Sequence, residues 1–120
     1  MFGNTIKTGD FKGEKHVPTI KLLGELKKGE PVDIEVKVGE EIAHPNTPEH
    51  HISWIELYFV DETNRAILIG RVAFTEHGAQ GITVEPRAVF TAKFDKPGTL
   101  VALSYCNLHG VWENTLKLEF

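Results

Sequence analysis

Val32-Asp-Ile-Glu-Val-Lys-Val38 alternates apolar and charged residues without a break. A period of two puts one face against a core and the other in water, so this stretch predicts a half-buried β-strand. His51–Val60 is rich in Ile, Leu, Trp, Tyr and Phe and predicts a more buried strand. Ala66–Phe74, Ala88–Phe94, Thr99–Tyr105 and Thr115–Phe120 are further strands, and Thr19–Leu26 is a less regular one. Turn chemistry separates them at Lys28-Gly-Glu-Pro31, Asp61-Glu-Thr-Asn64, His77-Gly78 and Lys96-Pro-Gly98. No segment holds a 3.6-residue period over ten or more positions. About seven short, evenly spaced strands predict an all-β fold, an immunoglobulin-like β-sandwich or barrel. There is no repeat, low-complexity tract or linker, so residues 1–120 read as one domain.

Composition narrows the class. A hydrophobic content of 41% is enough for a packed core. No apolar run approaches the roughly 20 residues of a membrane helix, and Met1–Gly13 lacks a signal-peptide core. A soluble, cytoplasmic protein is expected. The formal net charge is −4 and the basic residues are scattered, so a nucleic-acid partner is not expected. A small anionic substrate would need a local positive site. The single cysteine, Cys106, excludes an intrachain disulfide and suits a reducing compartment.

The placement of the histidines changes the picture. Five of the six lie in loops or at strand edges: His16, His44, His50, His51 and His109. His77 stands apart in a glycine-flanked turn and reads as a turn residue. Cys106-x-x-His109 lets one tight turn aim a thiolate and an imidazole at a single point. A sandwich gathers the loops of one end, so these groups can converge on a transition metal. Structural zinc usually takes four ligands, often with two or more cysteines. Here the candidate donors exceed a closed tetrahedral set, and only one is sulfur. A cupredoxin-like copper carrier would use two histidines, a cysteine and a weak axial methionine. The only methionine is Met1. Iron, copper and zinc therefore remain three distinct readings of the donor set, the surplus of histidine counting against copper.

Three segments resemble the superoxide reductases of the neelaredoxin type: Glu14-Lys-His-Val-Pro18, His44-Pro-Asn-Thr47 with Glu49-His-His51, and Ser104-Tyr-Cys-Asn-Leu-His-Gly110. They stand in family order and span nearly the whole chain. The resemblance implies one iron ion with His16, His44, His50 and His109 as equatorial ligands and Cys106 as the axial thiolate. Glu14 matches the glutamate that takes the sixth position in the oxidised state, and Lys15 the lysine near the open site. The implied activity is one-electron reduction of superoxide to hydrogen peroxide. Two-domain members carry an additional N-terminal rubredoxin-like centre bound by cysteines, and no cysteine precedes Cys106 here. Electrons are thus expected from a separate donor such as rubredoxin. A homo-oligomer is expected, since homotetramers are frequent in the family.

Neighbouring strand residues point to opposite faces, so His50 and His51 are not expected to serve one metal together. The resemblance selects His50 and leaves His51 as a packed or hydrogen-bonded side chain. Backbone N–H groups of Asn107–Gly110 are expected to face the Cys106 sulfur. Trp54, Tyr58, Tyr105 and Trp112 are expected in the core or an interface.

Overall fold

The computed structural model describes residues 2–9 and 16–120. Seven strands follow in order: β1 Pro18–Leu22, β2 Val32–Val38, β3 Ile52–Val60, β4 Ala66–Ala73, β5 Arg87–Ala92, β6 Gly98–Cys106 and β7 Gly110–Leu118. They form two antiparallel sheets, β1-β2-β5 and β4-β3-β6-β7. The all-β sandwich expected from the alternation is the observed fold. No helix among the described residues is long and apolar enough to cross a membrane.

The core follows from parity. In β2, Val32, Ile34, Val36 and Val38 are buried while Asp33 faces water. In β6, Leu100, Ala102, Ser104 and Cys106 are wholly buried on alternate positions. Ile55 and Leu57 of β3 meet them in the same cluster, with Phe74, Phe94 and Leu118. β6 pairs with β3 on one side and β7 on the other, which makes it the central carrier of the site. Its inward parity ends on Cys106, so the rule that buries Leu100 also buries the sulfur.

Two element boundaries depart furthest from expectation. β1 stops at Leu22 because the chain turns away at Gly24, where φ is +145°. β7 starts at Gly110, five residues before Thr115, and pairs with β6 down to Cys106↔Gly110. Its first half, Val111-Trp-Glu-Asn114, does not alternate in polarity, because its inner side meets the site end of the sandwich and not the apolar core.

The beginning of β1, the end of β2, the beginning of β3, the end of β6 and the beginning of β7 lie at one end of the sandwich: Pro18↔Val38, Ile52↔Cys106 and Cys106↔Gly110 align them within each sheet, and the contact of His16 with His109 joins the two sheets there. At the opposite end, Lys96 forms an ion pair with Asp61. The Lys96 ammonium, with the Thr63 hydroxyl and amide, holds Asp61 well below the usual carboxylate range.

Candidate metal centre

Four imidazoles form a closed square at the first of these ends. The ring centroids of His16 and His44 are 4.9 Å apart, and those of His44 and His50 are 4.8 Å apart. The square closes through His50 and His109 at 5.0 Å and His109 and His16 at 4.8 Å. Every adjacent pair meets edge to face, at interplanar angles of 67° to 78°. Rings in an apolar core have no reason to adopt this fourfold arrangement; four donors around one point do.

The donor atoms converge. The candidate ligand atoms of His16, His50, Cys106 and His109 all lie within 4.8 Å of one another. Opposite donors about 2.0–2.3 Å from a single first-row ion lie roughly 4–4.6 Å apart, close to the spread of this group. His16 Nε2 and His109 Nδ1 are 3.1 Å apart, and His109 Nδ1 is 3.6 Å from Cys106 Sγ. Two cis ligands at about 2.1 Å would be about 3 Å apart. His44 stands outside the tight group and completes the square by its ring contacts. Its Nδ1–H donates to the Pro45 carbonyl at 2.7 Å, which leaves Nε2 as the lone-pair nitrogen. The donor set fits a six-coordinate metal with one position open to a substrate.

The local backbone explains the convergence. Three residues, Asn107–His109, link the paired positions Cys106 and Gly110. Gly110 has φ +85°, a left-handed conformation that favours glycine and lets this short loop close. Gly39, at φ +86°, opens the loop that carries His44. A Cβ there would lie 2.9 Å from the His44 backbone nitrogen, so only glycine lets the loop fold back so closely.

Side chains of β6 and β7 fasten the ligands. The buried Ser104 hydroxyl donates to the His16 carbonyl at 3.1 Å. Trp112 stacks on His16 at 4.7 Å and 11°, and its indole N–H donates to the His109 carbonyl at 3.2 Å. In place of the core or interface position expected for it, Trp112 braces His16 and His109. Its spacing three residues after His109 is the signal that could have shown this. The Asn107 amide, expected to face the sulfur, donates to the His51 carbonyl at 3.1 Å.

The other two histidines pair with each other. His51 stacks on His77 at 3.6 Å and 7°, and its Nδ1 lies 3.0 Å from the Thr47 carbonyl. His77 is more than a turn residue. It is only 8% exposed, and its two ring nitrogens lie 2.9 Å from Asn46 Oδ1 and 2.9 Å from the Phe74 carbonyl. The contact with Asn46 ties the loop between β2 and β3 to the segment after β4. Trp54 and Tyr105 stack on each other at 5.6 Å, away from the square. Glu14 and Lys15 lie outside the described residues.

A mononuclear centre of four imidazoles and one thiolate, at one end of an immunoglobulin-like sandwich, defines the class of protein. The desulfoferrodoxin family model matches residues 8–115, and the chain belongs to that family. It is 59% identical over 120 residues to a superoxide reductase of Pyrococcus abyssi, covering 99% of this chain and 100% of the relative. It is 42% identical over 117 residues to a neelaredoxin of Megalodesulfovibrio gigas, covering 91% and 90%. A crystal structure of a superoxide reductase in the oxidised state superposes with a TM-score of 0.89 at 51% identity, covering 99% of this chain and all of that one.

Proposed function

We infer that the protein is an iron-dependent superoxide reductase, O2•− + e− + 2H+ → H2O2, with one iron per chain. The observation that carries this reading is the closed square of His16, His44, His50 and His109 with the Cys106 thiolate against it. A cupredoxin-like site would leave two of these imidazoles without a role.

Bound there, iron supplies a one-electron couple and an open position for an anion. The four imidazoles would hold the cation as neutral ligands without cancelling its charge, so that it could attract superoxide. The Cys106 thiolate donates electron density, as a thiolate does in haem enzymes, and favours passing the electron outward. Burial of Cys106, at 0% exposure, keeps this donor from water and from oxidants. His109 is the exposed member of the square and leaves the centre reachable by small reactants.

Two residues complete the proposal on the strength of the motif that includes His16. Lys15 offsets the net negative surface and steers the anion, an effect greatest at low salt. Glu14 would supply a hard carboxylate suited to holding the iron in its ferric state. The electron comes from an external donor, with rubredoxin the proposed partner. The two sheets act as one iron-binding domain, in the cytoplasm, and assemble as a homo-oligomer, for which a homotetramer is the proposed form. The exposed Ile67 and Leu68 on edge strand β4 offer apolar surface for that contact.

The deciding experiment generates a pulse of superoxide against the reduced protein and measures peroxide and oxygen together. Peroxide without oxygen, with one electron consumed per superoxide, is expected. Oxygen released in proportion to peroxide would identify a dismutase. Intense blue copper or colourless zinc in the isolated protein would replace the iron reading.

A further inference from the structure

The ladder between β3 and β6 has its last rung at Ile52↔Cys106. Beyond it the main chain of β6 must leave the sheet so that His109 can swing round to the metal. The opposing chain continues through His51 and His50, and His50 has to stay in register with the sulfur. Something must replace the departing backbone.

We propose that the Asn107 side-chain amide is that replacement, a surrogate peptide group that holds His50 in register with the Cys106 thiolate. Its Oδ1 accepts the His51 backbone N–H at 2.8 Å, and its Nδ2–H donates to the Glu49 carbonyl at 2.9 Å. These are the main-chain groups on either side of His50. The Asn107 main-chain N–H adds a third bond, to the His51 carbonyl, at 3.1 Å. One residue, joined by a peptide bond to Cys106, thus grips both flanks of His50, at sequence separations of 56 and 58.

The chemistry needs asparagine. A planar amide offers one acceptor and a donor at the spacing of a peptide group. Aspartate keeps the acceptor but sets a carboxylate against the Glu49 carbonyl. Glutamine carries the same groups one methylene too far. Leucine matches the shape and offers neither bond. Partners of this kind orient ligands, and their loss commonly costs about 10–100-fold in metal affinity or activity. Asn107 is a positioning residue: it acts on the centre through His50 and the Cys106 main chain.

The proposal rests on the iron reading of the site. The test compares the full chain with Asn107→Asp and Asn107→Leu, each loaded with ferrous iron and then oxidised. Readouts are iron affinity, the thiolate-to-ferric absorption band, the reduction potential and hydrogen exchange at the His51 amide in metal-free protein. The expected order for affinity is wild type, then Asp, then Leu, with the Leu variant weaker by about tenfold or more. The band and potential should shift in the loaded variants, and the His51 amide should exchange faster. If Leu does not fold, a shifted band in the Asp variant supports the proposal equally. An unmoved band and potential, with only thermal stability lowered, would make Asn107 purely structural and overturn the proposal. Absence of the band from the wild type itself would instead remove the iron reading.

Discussion

Two loops deliver ligands to the same centre by opposite means. Asn107–His109 is three residues long and sits between the paired ends of β6 and β7. It carries His109, and Cys106 stands on its rim. Residues 39–51 cross from one sheet to the other and carry His44 and His50. The short loop inherits its geometry from the ladder and from Gly110. The long one is assembled from separate ties: Thr47 and His50 exchange backbone bonds at 2.9 and 3.2 Å, Asn46 Nδ2–H donates to the Val84 carbonyl at 2.9 Å, and His51 stacks on His77. A ligand pair set by strand pairing needs few specific residues. A pair on a crossover needs many, each contributing little.

The largest effect should come from the short loop. Cys106→Ser removes the soft donor, and the thiolate-to-metal absorption should vanish. Because serine is small and the ladder flanks it, the fold should persist, as judged by circular dichroism. Retention of the band would mean that sulfur does not bind the metal.

Gly39→Ala tests the hinge of the long loop. It forces a side chain into a left-handed conformation and against the His44 backbone. A loss of roughly 1–3 kcal/mol is expected in a denaturant titration. Iron affinity should fall with it, through His44. Stability lost without any change in iron affinity would show that this end of the loop does not govern the ligand.

Trp112→Leu removes the brace between His16 and the short loop, the His16 stack and the bond to the His109 carbonyl. Iron should still bind, with a shifted visible spectrum and about 10-fold weaker affinity, as for other residues that orient ligands. An unaltered spectrum would reduce Trp112 to packing.

The smallest effect belongs to the far end. Asp61 is held below its unfolded value by Lys96 and Thr63, so its contribution to stability is present above pH about 4 and fades as pH falls below that. Asp61→Asn should flatten this part of the acid profile while leaving iron content at neutral pH unchanged. A fall in iron content would couple the two ends of the sandwich.

The contrast between the loops also governs what the sequence could reveal. The alternation in Val32–Val38 maps directly onto β2, because one face is core and the other water. The Cys106-x-x-His109 spacing is legible because a three-residue loop leaves few geometries. The first half of β7 is not, since Asn114, opposite the inward Ala102, sets a polar side chain at an inner position and breaks the apolar period. His77 is equally hidden: it is held by Asn46 and by the His51 stack, and contacts between separate segments leave no pattern along the chain. The choice between His50 and His51 comes from the resemblance of the motif, because parity says only that they diverge.

The chain has a single thiol, and that thiol has no accessible surface. In metal-free protein, a cysteine-modifying reagent can therefore label only molecules whose sandwich has opened at that end. The rate of labelling counts those openings one molecule at a time, so the protein carries its own gauge of how often β6 parts from its neighbours.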